Sequence, residues 1–142
     1  LYVSPGVTHA YLRGNVVEIT SNSDNVIRCG LTPKHVNAHE FLSIASFVSE
    51  QPEIQTPAES VHTYESPTPF TLTRLNLNEE LKATLHGPEI LISTQNNFTI
   101  TNKSENSFHV EQGHPVWVPF SDTSYKISGN CLLFRCATNP DF

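Results

Sequence analysis

The chain has 142 residues, a formal net charge of −6 and 15% charged side chains. That is about one ordinary domain by length. There is no basic stripe to neutralise phosphates, which excludes a general nucleic-acid or membrane-surface binder. No apolar run approaches the roughly 20 residues of a membrane span, so neither nucleic acid nor a membrane is expected as a partner. The first residues, LYVSPG, show neither an initiator Met nor the charged-then-apolar pattern of a secretory signal. The chain opens inside what reads as a strand, as expected of a piece of a longer protein.

Residues 1 to about 36 read as strand-like with tight turns: LYV, AYL, VVEIT and NVIRCGLTPK. Residues 37 to about 50 read as one helix. Asn37 caps it, Glu40 completes a capping box, and Phe41, Ile44, Ala45 and Val48 form a single apolar face. Residues 51–63 are a polar, proline-bearing linker. From Tyr64 onward the pattern is all β, with seven short strands: FTLTRLNL, EILIST, FTITN, FHVEQG, VWVPF, YKISG and CLLFRCA. In the first of these, Thr71, Thr73, Leu75 and Leu77 share one face and Phe70, Leu72, Arg74 and Asn76 the other. Short strands with Gly, Pro and Asn turns predict a small antiparallel barrel or sandwich.

An internal repeat relates the two ends of the chain. Shifted by 115 residues, Leu1-Tyr2-Val3 lies on Val116-Trp117-Val118, Thr8 on Thr123, Leu12 on Ile127, Gly14-Asn15 on Gly129-Asn130 and Val17 on Leu132. Each copy reads as strand, turn, strand, Gly-Asn hairpin, strand. Only the second copy follows the strands of a whole barrel, so the first reads as the tail of an incomplete one. The copies differ in chemistry: His9 stands where the second has Ser124, and Glu18 where it has Leu133. The first copy is therefore the expected working one.

The cysteines, Cys29, Cys131 and Cys136, are odd in number and irregularly spaced. They make a poor disulfide or zinc framework, and CLLFRC reads as buried thiols on a strand. The sequons at Asn97 and Asn102 lack a secretory context, and a reducing cytosol is the default compartment. His35 and His39 flank the helix start, His62 and His86 are expected in loops, and His109 and His114 on the surface. Glu18 on an apolar run (VVEIT) needs a partner if buried. Arg28 could supply it, as it could for Asp24.

Gly6-Val7-Thr8-His9 resembles the second signature of cupin barrels, in which a glycine turn precedes a metal-binding histidine. The continuation, HAYLRGNVVEITSNSDNVIRCGLTPK (His9 to Lys34), closely resembles the long signature of type I phosphomannose isomerases, the zinc-dependent mannose-6-phosphate isomerases. The match runs through His9, Ala10, Tyr11, Leu12, Gly14, Glu18, Ser23, Asp24, Asn25, Arg28, Gly30, Thr32, Pro33 and Lys34. It departs at Thr20-Ser21, where the family usually has Met-Ala, and at Cys29, where Ala is usual.

The resemblance implies a mainly β chain, the C-terminal part of a double cupin (jelly-roll β-barrel) with one connecting helix. Residues 1–36 would be the last strands of the catalytic barrel, 37–63 a helix and linker, and 64–142 a second, metal-free barrel. His9 would be a zinc ligand, with the remaining ligands expected upstream of Leu1. Arg28 would be catalytic, stabilising the charge of an enediol-like intermediate, an effect worth ~3–4 kcal/mol in comparable sites. Tyr11, Glu18, Asp24 and Lys34 would bind substrate. The reaction implied interconverts mannose 6-phosphate and fructose 6-phosphate in the cytoplasm. The partners implied are the sugar phosphate and the missing N-terminal part of the same protein. The residues alone leave a second possibility, a non-catalytic cupin module for binding or assembly.

Overall fold

The structure, a computed structural model, describes residues 1–142 except Asp24, Glu50 and Asp122. The chain divides into two compact units, Leu1–Ile54 and Gln55–Phe142. It is mainly β, with one short helix.

In the first unit the helix α1 spans Ala38–Ile44. Asn37 caps it: its Oδ1 accepts the Glu40 N–H at 3.1 Å. The other half of the expected capping box is replaced, because the Asn37 N–H donates to the Arg28 carbonyl at 3.0 Å. The helix stops six residues short of the expected end. Ala45 turns to ψ 135° and the Ser46 N–H, which a longer helix would direct inward, donates to the Gly6 carbonyl at 2.8 Å. Gly6 makes this possible. Its φ is +81° and a Cβ there would lie 3.2 Å from the Ile44 carbonyl oxygen. The single apolar face survives only as Phe41 and Ala45, both half-buried, while Ile44 and Val48 are exposed.

The strands expected at LYV, AYL, VVEIT and NVIRCGLTPK do not form among the described residues. A lone parallel bridge, Val7 to Ser46, is the β pairing seen there. The physical reason is that alternation is a property of a segment, whereas a strand is a shared ladder. No ladder forms among these runs, and Tyr11, Leu12 and Val16 are left exposed.

The second unit is a two-sheet antiparallel sandwich. Its strands are β1 Val61–Tyr64, β2 Phe70–Leu77, β3 Leu81–Thr84, β4 Glu89–Gln95, β5 Phe98–Asn102, β6 Ser107–Val110, β7 Pro115–Val118, β8 Ser124–Ser128 and β9 Cys131–Thr138. One sheet has the order β1-β2-β9-β4-β7 and the other β3-β8-β5-β6. Consecutive strands mostly alternate between sheets, which gives the cupin-like crossing pattern. All seven strands expected after Tyr64 are present, and the Thr73, Leu75 and Leu77 face of β2 is the buried one.

Two edge strands, β1 and β3, escape sequence reading because VHTY and LKAT carry no clear alternation of apolar residues. The expected linker therefore ends inside a sheet. Gln55 is already tied to it, donating to the Glu65 carbonyl and accepting the Glu65 N–H, both at 2.7 Å. The Gly129-Asn130 turn is likewise not a hairpin. It carries the chain from β8 in one sheet to β9 in the other, and Gly129 at φ +139° lies where a Cβ would come within 3.0 Å of the Asn97 carbonyl oxygen.

Leu75, Leu91 and Leu133 from one sheet meet Phe98, Ile100 and Ile127 from the other. Fully burying side chains of this size contributes ~1.5–3 kcal/mol each. Ser93 is buried among them at a bulge in β4, and its hydroxyl reaches the carbonyls of Asn96 at 2.7 Å and Gln95 at 2.9 Å. Cys131 is buried in this core. Cys136, an odd number of residues along the same strand, faces the opposite side, so the two thiols cannot chelate one ion. Burial raises the pKa of both, and Cys136 also feels the Glu89 carboxylate.

Candidate functional site

The residues singled out in the sequence all lie in the unit Leu1–Ile54. His9 follows the Gly6 turn, itself held by the Val7 N–H donating to the Ser4 carbonyl at 3.2 Å. Its Nδ1 lies 3.0 Å from the Val7 carbonyl oxygen. A carbonyl can only accept, so Nδ1 carries a proton, and in the neutral ring the lone pair is then on Nε2. That is the tautomer a metal ligand needs, with the second nitrogen anchored by backbone.

Tyr11 stands edge-on to the His9 ring, with centroids 6.3 Å apart. Tyr11 is largely exposed, and slight desolvation first, then the nearby Glu18 carboxylate, push its hydroxyl pKa up. His9, Tyr11 and Glu18 thus form a chain of neighbours. Glu18 is exposed, so its placement on an apolar run carries no burial cost.

The Glu18–Arg28 ion pair considered from sequence does not form. Among the described residues the salt bridge is Lys126–Glu105, at 3.1 Å in the other unit. Asp24, the other expected partner, lies outside the described residues. Its neighbours make a local hydroxyl chain: Ser21 Oγ and Ser23 Oγ are 3.0 Å apart, and Ser23 Oγ donates to Asn25 Oδ1 at 2.9 Å. Arg28 is half-buried, and its carbonyl is tied to the helix cap at Asn37. Lys34 is exposed at the end of a bend in which its N–H donates to Thr32 Oγ1 at 3.2 Å.

No three His, Cys, Asp or Glu side chains come together as a metal-binding group among the described residues. His109 makes a side-chain contact of 3.3 Å with Asn97 Nδ2, and His114 sits at the Gly113 turn. His62 corrects the sequence reading. It lies on β1 rather than in a loop, packed edge-on to Tyr64 with centroids 4.8 Å apart, and its Nε2 is buried without a partner. A histidine on an edge strand of mixed composition gives no periodic signal that would have placed it there.

No helix among the described residues is long and apolar enough to cross a membrane. No family model matches the chain. It is similar to mannose-6-phosphate isomerase from Salmonella typhimurium, 30% identical over 134 residues that cover 89% of this chain and 34% of that enzyme. It is also similar to the Rattus norvegicus enzyme of the same name, 24% identical over 151 residues, covering 95% of this chain and 36% of the relative. Among solved structures it resembles the Salmonella typhimurium enzyme described as bound to its substrate (f6p) and a zinc atom. The TM-score is 0.67 at 21% identity, over 84% of this chain and 32% of that one. The chain spans about a third of the length of the relatives it matches. Likeness of sequence along nine-tenths of the chain, joined to the shared fold, makes this chain similar to about a third of the length of the mannose-6-phosphate isomerases.

Proposed function

We propose that this chain supplies part of the active site of a mannose-6-phosphate isomerase, an enzyme that interconverts mannose 6-phosphate and fructose 6-phosphate through a cis-enediol. The observation that carries the reading is 30% identity to an enzyme of that name across 89% of the chain. It favours the isomerase over a non-catalytic cupin module. In this reading residues 1–36 close a catalytic barrel, 37–63 are its helix and linker, and 64–142 form a second barrel without metal. The chain corresponds to the C-terminal part of a cytoplasmic enzyme whose N-terminal part is its natural partner.

His9 fits a metal-ligand role because its Nδ1 bond to Val7 leaves Nε2 available. A catalytic zinc takes about three protein ligands and keeps a position open. The further ligands would come from the N-terminal part. Zinc, when bound, supplies polarisation of the sugar oxygens. Isomerisation moves a proton between C1 and C2, and negative charge grows on the sugar oxygens as it leaves. The Arg28 guanidinium, permanently charged, is the group to meet that charge. The Tyr11 hydroxyl can donate to a sugar oxygen while the neighbouring Glu18 carboxylate accepts from a sugar hydroxyl. Asp24 would add a second acceptor, and Lys34 a cation for the phosphate.

The test is reconstitution. The purified 142-residue chain is assayed alone, and then with zinc and an N-terminal portion of a mannose-6-phosphate isomerase. The expected result is no turnover alone, turnover in the mixture, and its loss with His9→Ala. Robust turnover from the chain alone, or a mixture indifferent to His9→Ala, would falsify the assignment.

A further inference from the structure

The interior of the sandwich changes character along its length. At one end Leu77, Phe98, Ile127 and Cys131 pack closed. At the other, where β2 and β4 begin and β9 finishes, two neighbouring rungs carry polar groups. Thr71, Ala137 and Glu89 are in register on one rung, and Thr73, Arg135 and Leu91 on the next. These rungs floor a cleft of about 210 Å³, with Thr84 and His86 at its rim.

Glu89 is only 4% exposed, and its Oε2 accepts the Tyr125 hydroxyl at 2.5 Å. Its second carboxylate oxygen has no hydrogen-bond partner among the described residues. The Arg135 Nε is buried and also without a partner, and the guanidinium makes no ion pair among the described residues. The unmet buried Arg135 Nε costs ~1–3 kcal/mol, while the free Glu89 oxygen is not enclosed and Glu89 lines the cleft. A sandwich that needed only stability would place apolar side chains here, as the next rung's Leu91 does. A ligand that both donates and accepts would relieve the cost.

We propose that this end of the sandwich binds a small uncharged polyhydroxy molecule, a single sugar ring or a short polyol. One ligand hydroxyl donates to Glu89, another accepts from Arg135, and the threonine hydroxyls serve either role. Charge selects against an anion: Glu89 and Arg135 cancel, so the lining offers no net positive field for a phosphate. Size agrees, since the cleft is below the roughly 300–1,000 Å³ of ordinary small-molecule pockets. Thr73 is partly committed, sharing a hydrogen bond of 2.9 Å with Thr63, which stiffens that wall.

The experiment follows the backbone amides of the 142-residue chain by NMR during titration with D-glucose, D-mannose, D-galactose and glycerol, and separately with inorganic phosphate. The expected result is saturable, millimolar-range shifts for at least one polyol, centred on Gly87, Glu89, Arg135 and Ala137. Arg135→Gln should weaken binding tenfold or more, and the exposed-rim variant Thr84→Val several-fold, with the remaining spectrum unchanged. If Arg135→Gln does not fold, Thr84→Val decides. No saturable shift with any polyol overturns the proposal, as does binding unaffected by the variants. Phosphate binding at these residues in place of a polyol overturns it too.

Discussion

The Asn37 backbone N–H donates to the Arg28 carbonyl oxygen at 3.0 Å. The residue that caps α1 therefore also fixes the backbone of the arginine on which the proposed chemistry turns. Asn37 joins the two with different atoms, since Oδ1 holds the Glu40 N–H while its own N–H holds Arg28. The Gly6–Ser46 contact closes the same unit from the other end of the helix, a short distance along the chain from His9. Helix α1 is thus held at both ends by the segments that carry His9 and Arg28.

Removing the cap separates these functions. Asn37→Ala loses Oδ1 and keeps the N–H, so it should cost ~1 kcal/mol of local stability. Hydrogen exchange at the Glu40 and Phe41 amides should quicken accordingly, and Asn37→Asp should restore protection. Unchanged exchange in Asn37→Ala would show that the cap contributes nothing.

For Arg28 the prediction concerns rate. In a reconstituted or whole parent enzyme, Arg28→Ala should lower kcat by ~10²-fold or more, with a smaller change in zinc content. Arg28→Lys should recover little, because an ammonium lacks the planar fork of donors. Should the folded fraction of Arg28→Ala keep its kcat, the residue serves packing alone.

Tyr125 predicts an alkaline transition. Burial first, then the hydrogen bond to Glu89 and that carboxylate's charge, raise its pKa well above the ordinary tyrosine value of about 10. The folded state then holds a proton that the unfolded state releases above that pH. The tyrosine's contribution is complete below about pH 10 and declines as pH rises further. In urea melts, Tyr125→Phe should be destabilised by ~1–3 kcal/mol at neutral pH, through the unmet Glu89 carboxylate. It should also show a shallower loss of stability above pH 10 than the parent. Equal alkaline slopes would remove Tyr125 as the cause.

The matched glycines of the repeat offer a controlled pair. Gly14 and Gly129 both have positive φ, +119° and +139°. Open space surrounds a Cβ at Gly14, whereas one at Gly129 would press on Asn97 and Phe98. Gly129→Ala should therefore lower the thermal midpoint of the sandwich clearly, by conformational strain and crowding together. Gly14→Ala should show conformational strain alone, read as faster local exchange around Leu12 to Val16 without a shift in that midpoint. Equal effects of the two on the midpoint would contradict the crowding.

Much of the sandwich was legible in the residues themselves. Alternation in FTLTRLNL, EILIST and CLLFRCA marks strands whose one face is buried, and burial imposes a period of two on sequence. The Asn37 cap was legible for a similar reason, because side chain and backbone lie within one turn. The resemblance to phosphomannose isomerases too was carried by local spacing, from His9 to Lys34. Tertiary structure alone decided the rest. It stopped the helix at Ile44 by giving the Ser46 N–H to Gly6, and it turned the Gly129-Asn130 step from a hairpin into a passage between sheets. It enlisted VHTY and LKAT as edge strands despite their weak pattern, and it gathered Glu89 and Arg135 from two strands into one cleft. Each of these depends on which distant group meets a backbone amide or a buried charge. A sequence specifies its own periods, but a hydrogen-bond partner far along the chain is chosen only when the sheets close.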